Sequence, residues 1–225
     1  MKRRQAVKII IDIAMYLLFV ALMQEHLWSD GLHEWIGVTL FALFIAHNVL
    51  NFRWYKTLFK GKYAAPRIML AVINVALLVA MLCCMASSVL ISGKIFAFLH
   101  LGGAKIGRTL HLVATAWAFV LMSLHMGLHF APFANKLKQR GLLPWVGRMI
   151  AFILAAYGIY VLLDRAFYEE LFYLAEYKFF DNTKSGAVYF FETIAMSSFF
   201  AALAYYGKRL LQSRIKIGNK SHEKM

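Results

Sequence analysis

Long runs of apolar residues alternate with short polar segments along the whole chain. The apolar runs cover about residues 9–27, 33–52, 68–92, 109–131, 148–167 and 187–207. A helix needs about 20 apolar residues to cross the hydrocarbon core of a bilayer, and within lipid a helix satisfies its own backbone hydrogen bonds. The pattern therefore predicts an all-α membrane protein, in which residues 1–211 form a single domain of six transmembrane helices.

The composition agrees with this architecture, because 61% of the residues are hydrophobic and only 16% are charged. A soluble domain of this length needs a larger polar surface. The net charge of +14 raises the question of nucleic acid. However, the basic residues form short clusters between the apolar runs, which is typical of loops that face anionic lipid. We expect membrane lipid as a partner and no binding of nucleic acid.

The basic residues also predict how the chain is oriented in the membrane. Most of the 25 Lys and Arg residues lie in the N-terminus, in the loops after the second and fourth runs, and near the C-terminus. Cytoplasmic loops carry an excess of these residues, and six spans return both ends of the chain to the same side. We expect a multi-pass protein of a bacterial inner membrane with both termini in the cytoplasm, including a basic tail of residues 212–225.

Four histidines inside the apolar runs share one spacing. His33 and His47 lie in the second run and are 14 positions apart, as are His111 and His125 in the fourth run. At about 100° per residue, 14 positions return to within roughly 40° of the starting direction and rise about 21 Å. The two runs cross the membrane in the same direction. His33 and His111 are therefore expected at one outer depth, and His47 and His125 at one inner depth.

This arrangement predicts two non-covalent b-type haems, each ligated by one histidine from each helix, within a core of about residues 30–131. A single histidine in a span often only hydrogen-bonds a neighbouring helix, but that role does not require equal spacing on two helices. A dinuclear metal site would need carboxylates beside the imidazoles at one depth. The adjacent Cys83 and Cys84 lack the spacing of a covalent haem attachment.

Three further residues belong to the predicted haem site. His129 lies four positions after His125 on the same helical face, so it either replaces His125 as the inner ligand or hydrogen-bonds a haem propionate. Arg108 at the outer end and Arg53 at the inner end are candidate propionate partners. Both arginines would also be present if their only role were to set the orientation of the helices in the membrane.

Two small residues and two carboxylates within the runs each allow two interpretations. Gly37 and Gly127 lie near histidines, and small residues admit either a flat macrocycle or a neighbouring helix. Asp12 and Glu192 are carboxylates inside the first and sixth runs, where such groups are costly and often functional. Glu192 is a candidate for binding a quinol hydroxyl or carrying its proton, or it is a helix-end residue that reaches the interface.

The histidine segments resemble a known family. The residues HEWIG at 33–37, AHNVLNFRW at 46–54, LHL at 110–112 and LHMGLH at 124–129 are similar to the flavinylation-associated cytochrome family over about residues 30–130. The resemblance implies a diheme, cytochrome b-like membrane protein that transfers electrons to or from extracytoplasmic proteins carrying covalent FMN. This chain contains no Gly-rich nucleotide motif, so a flavin would belong to a partner.

The predicted function is electron relay across the membrane, as one component of an oxidoreductase system. The donor is expected to be a quinol or a cytoplasmic-side protein, and the acceptor an extracytoplasmic protein. Two other hypotheses stay open. One is a membrane transporter in which the histidines form a proton relay, and the other is an assembly subunit of a redox complex that binds no haem itself.

Overall fold

A computed structural model describes residues 2–61, 63–131, 144–175, 181 and 183–222. All regular elements in this part of the chain are helices. They are α1 (Lys2–Leu22), α2 (Asp30–Leu50), α3 (Arg53–Thr57), α4 (Ala65–Ile91), α5 (Ala104–His129), α6 (Pro144–Asp164), α7 (Phe167–Phe172) and α8 (Gly186–His222). Single turns of 3₁₀ helix at Glu25–Leu27 and Ala97–Leu99 lie in the connections before α2 and α5.

Six of these helices, α1, α2, α4, α5, α6 and α8, are long and apolar enough to cross a membrane. The prediction of an all-α protein with six helices that are long and apolar enough to span a membrane is therefore confirmed. Large apolar side chains on the outside, such as Ile10, Phe152 and Leu203, are more than half exposed, as expected for faces that contact lipid. Each of the six helices begins before its predicted apolar run, whereas α1 ends at Leu22, five residues before the end of its run. Polar residues that favour helix can continue a helix past an apolar run. For example, α8 continues to His222.

Local sequence sets where the histidine-bearing helices begin. Ser29 caps α2, since its hydroxyl accepts a hydrogen bond from the backbone N–H of Leu32, and Ser is a preferred N-cap residue. Gly103 precedes α5 with φ +95°, a conformation that glycine adopts at little cost. These starts place His33 in the first turn of α2 and His111 in the second turn of α5.

Helix α5 lies at the centre of the bundle and packs closely against α4 and α8, while α6 packs against the other side of α8. Glycines bring these backbones together. A Cβ atom on Gly127 would lie 2.1 Å from the carbonyl oxygen of Ala201, and one on Gly158 would lie 2.1 Å from that of Ala195. By contrast, the only extensive packing of α2 in the described structure is against α1. A gap is thus left between α2 and α5, the two helices that carry the predicted ligands.

Candidate functional site

The structure brings His33 and His111 together across this gap. Their ring centroids are 6.5 Å apart and the ring planes are inclined by 72°. A metal ion bound by two imidazoles, with metal–nitrogen bonds of about 2 Å, holds the ring centroids about 6 Å apart. We call His33 and His111 the outer pair, and His47 and His125 the inner pair, after the orientation predicted from the basic residues. The outer pair has the spacing that two axial ligands of one iron would need.

A cavity of about 70 Å³ lies beside this pair, lined by Gly37 and Leu40 on α2 and by residues of α1, α4 and α5. A Cβ atom added to Gly37 would meet no atom within 4 Å, so this glycine keeps space open. The Nδ1 atom of His33 is buried and has no hydrogen-bond partner in the described structure, and a buried polar atom without a partner is costly. These features fit a site for a metal-bound ligand.

The cavity is smaller than a macrocycle requires, since pockets for large ligands hold about 300 Å³ or more. Haem binding would therefore require the side chains that line this cavity to move aside while His33 and His111 keep their separation. Among the described elements the α2 backbone packs extensively only against α1, although Leu40 and Phe44 of α2 belong to the buried cluster that also contains Phe119 of α5.

On α5, His111 is held by two serines of α4. Its Nδ1 atom lies 3.2 Å from Oγ of Ser88 and 3.3 Å from Oγ of Ser87. Both hydroxyls donate their hydrogens to α4 carbonyls, Ser87 to Cys83 and Ser88 to Cys84, each over 2.8 Å. The two hydroxyl oxygens can therefore only accept a hydrogen bond from Nδ1 of His111. Nδ1 then carries the ring hydrogen, and Nε2 has the lone pair.

At the inner end, His47 is oriented by a carboxylate. Its Nδ1 atom lies 2.7 Å from Oδ1 of Asp12 on α1. Because an ionised carboxylate only accepts hydrogen bonds, Nδ1 donates its hydrogen to Asp12, and Nε2 is the nitrogen left for a metal. Asn51 lies nearby: its Nδ2 is 3.5 Å from Nε2, but makes a shorter 2.9 Å bond to the His47 carbonyl.

The structure also distinguishes His125 from His129. The Nδ1 atom of His125 lies 2.8 Å from Oδ1 of Asn74 on α4, which accepts its hydrogen and leaves the lone pair on Nε2. The His129 ring is 4.6 Å from that of His125, between centroids, but it is exposed. Within the described residues its ring makes no hydrogen bond. The charges of His47 and Asp12 also act on both rings, so these residues lie in the same region of the bundle.

Other candidate residues from the sequence lie apart from these contacts. Arg53 begins α3 and Arg108 lies near the outer end of α5; both are exposed, and neither is paired with a carboxylate in the described structure. Gly127 faces the backbone of α8 at Ala201, so of its two interpretations the structure favours helix packing. Gly37, in contrast, lines the outer cavity.

Glu192 is buried rather than reaching the interface. Its side chain is 4% exposed, with Lys184 Nζ 3.0 Å from Oε1 and Arg165 Nε 3.8 Å from Oε2. The hydrogen bond to Glu192 raises the pKa of Lys184 above its ordinary value. Next to it, Thr193 accepts a 2.8 Å hydrogen bond from the fully buried Gln24, which follows the end of α1 at Leu22. The cluster therefore joins the outer ends of α1, α6 and α8.

Sequence reasoning missed Asn74, Ser87 and Ser88, because small polar residues in an apolar run carry no signal of their partner. In the part of the chain that the structure describes, no three His, Cys, Asp or Glu side chains converge as a metal-ion cluster. No family model, curated protein or solved structure matches the chain. The chemistry of the site is therefore argued from its own residues.

Proposed function

We propose that this chain is a diheme b-type cytochrome that relays electrons across a bacterial inner membrane, with both termini in the cytoplasm. One observation carries the proposal: Nδ1 of His47, His111 and His125 each contacts an acceptor on a neighbouring helix. Metal-ligating histidines almost always donate their second ring N–H to such an acceptor, which sets the tautomer and the ring orientation. A histidine that only joins two helices makes such a bond as well. What supports ligation is that all three histidines use Nδ1 for it and so leave Nε2 available to a metal.

In this proposal His33 and His111 bind the outer haem, and His47 and His125 bind the inner one. A haem bound in this way supplies a one-electron redox centre. Asp12, Asn74 and the two serines hold the ligand rings in place. Gly37 has no side chain and so leaves the space beside His33 open. The two pairs are separated by 14 residues, or about 21 Å of helix. One redox site then lies toward each side of the membrane.

Further parts of the proposal concern the groups around the haems and the redox partners. Arg108 and Arg53, exposed near the outer and inner pairs, would supply cations for the propionates. A quinol or a cytoplasmic-side protein would donate electrons, and an extracytoplasmic protein would accept them. The resemblance of residues 30–130 to flavinylation-associated cytochromes favours an acceptor that carries covalent FMN.

Haem stoichiometry tests the proposal directly. The full chain would be purified in detergent from cells supplied with haem, and its reduced-minus-oxidised spectrum and pyridine haemochrome recorded. We expect two b haems per chain, one after His33→Ala or His47→Ala, and two in the control His222→Ala, which changes a histidine of the tail. A colourless wild-type protein would contradict the proposal and favour a transporter or an assembly subunit.

A further inference from the structure

Glu34, the residue after His33, binds the segment that leaves α4. Its Oε2 accepts hydrogen bonds from the Ser92 hydroxyl at 2.7 Å and from the backbone N–H of Ile95 at 2.8 Å. Its Oε1 accepts from the backbone N–H groups of Gly93 at 2.9 Å and Lys94 at 3.2 Å. One carboxylate thus satisfies four donors of a single loop, and such charge-assisted bonds are stronger than neutral ones.

These bonds attach the outer end of α2 to the body of the bundle. Among the described elements, the α2 backbone packs extensively only against α1. The buried side chains of α2, Leu40 and Phe44, lie in its middle and reach the core shared with α4 and α5, so the first turn of α2 is not held by buried side chains of its own. The loop that Glu34 binds begins at Ser92, directly after the end of α4. The carboxylate therefore fixes where the first turn of α2 lies relative to α4.

Helix α4 also positions His111, the other histidine of the outer pair. Ser87 and Ser88, one turn before the end of α4, hold the ring of His111. Consecutive residues of a helix point about 100° apart, so Glu34 can reach the loop while His33 faces His111. Both histidines of the outer pair are in this way positioned against the same end of α4.

We propose that Glu34 is the positioning residue of the outer histidine pair: its bonds to residues 92–95 set the separation and the relative orientation of His33 and His111. This inference rests on the proposed function, because it assumes that the pair ligates a haem. Glu34 itself touches no haem and supplies no ligand. Its loss releases α2 at the outer end and leaves the inner pair, 14 residues away, in place.

The test compares three variants of the full chain. Glu34→Ala removes all four hydrogen bonds, and Glu34→Gln keeps one carbonyl acceptor, which serves if the alanine variant does not fold. Asp30→Asn is the matched control, because it removes a negative charge one turn earlier on α2 from a side chain with no hydrogen bond to this loop in the described structure. Each protein is measured by amide hydrogen exchange, haem stoichiometry and low-spin haem EPR.

In Glu34→Ala we expect the amides of Gly93, Lys94 and Ile95 to exchange about tenfold faster, as after loss of hydrogen bonds. The EPR signal of the outer haem should shift or disappear while that of the inner haem is unchanged. Glu34→Gln should show smaller changes in the same direction, and Asp30→Asn should leave all three measurements as in wild type.

Two results would overturn the role of Glu34 and leave the proposed function intact. One is unchanged exchange at residues 93–95. The other is faster exchange with a wild-type outer-haem signal, which would make Glu34 a loop attachment without influence on the ligands. A wild-type protein without haem would instead overturn the proposed function itself.

Discussion

His47 on α2 and Asp12 on α1 are joined by a contact of 2.7 Å between Nδ1 and Oδ1. The same principle recurs on α5, where His125 contacts Asn74 and His111 contacts Ser88, both on α4. Each of these histidines is therefore oriented by a helix that carries none of the four proposed ligands. Helices α1 and α4 serve as supports for α2 and α5, which is the arrangement that a metal site needs to hold its ligands in fixed orientations.

We predict that Asp12→Asn raises the reduction potential of the inner haem. The carboxylate bound to His47 stabilises the positively charged ferric form, so its neutralisation favours reduction. The shift should be on the order of 60 mV, equivalent to a tenfold change for one electron, and no larger, since the Asp12 side chain is 51% exposed. A potentiometric titration of both haems measures the effect. Asp30→Asn, at the opposite end of the bundle, should leave the inner potential unchanged.

His125 and His129 differ in their expected effect on the inner haem. Only His125 has its Nδ1 held by a neighbouring helix, through Asn74. We therefore expect His125→Ala to abolish the inner haem and His129→Ala to retain it. The number of haems per chain, measured as pyridine haemochrome, distinguishes the two variants. The opposite result would assign His129 as the inner ligand.

Bulk at Gly37 should exclude the outer haem without unfolding the protein. A Cβ there meets nothing within 4 Å, so Gly37→Ala should be tolerated, whereas Gly37→Leu fills the cavity beside His33 and should leave one haem per chain. Gly127→Ala is the contrasting variant, because its Cβ would overlap the Ala201 carbonyl and overpacking costs about 1–3 kcal/mol. It should lower the thermal midpoint of the whole protein. Two haems in a folded Gly37→Leu protein would disprove the placement.

Lys184 should make stability depend on alkaline pH. Its pKa is raised, first by the hydrogen bond to Glu192, so the protonated form stabilises the folded state. This stabilisation is complete below the ordinary lysine pKa of about 10.4 and is lost as pH rises through the raised value. Lys184→Gln should cost about 1–2 kcal/mol at neutral pH, seen as a lower thermal midpoint in tryptophan fluorescence.

Lys184→Arg provides the control for that experiment, because arginine keeps its charge at high pH. Above about pH 10.4 the wild type should lose stability relative to Lys184→Arg. The difference in stability between the wild type and Lys184→Gln should then become smaller. If the difference in stability between the wild type and Lys184→Gln stays constant through this pH range, the ion pair to Glu192 is not the source of the pH dependence.

The span architecture could be read from the sequence because it depends on local properties. An apolar run of sufficient length forms a helix in lipid wherever it occurs, and the confirmed six spans follow from that rule alone. The common face of His33 and His47, and their separation of about 21 Å along the helix, likewise follow from helix geometry. The family resemblance and the haem content are predictions that the measurements above test.

Only the tertiary structure decided which residues surround each histidine. Asp12 and His47 are 35 positions apart, and Glu34 and Ser92 are 58 positions apart. Such contacts depend on which helices become neighbours and how they are rotated, and nothing in the apolar pattern encodes a particular partner. For the same reason the sequence alone could not show whether Gly37 and Gly127 face a cavity or a neighbouring helix. One faces a cavity and the other a backbone, because packing determines what lies opposite a helix face.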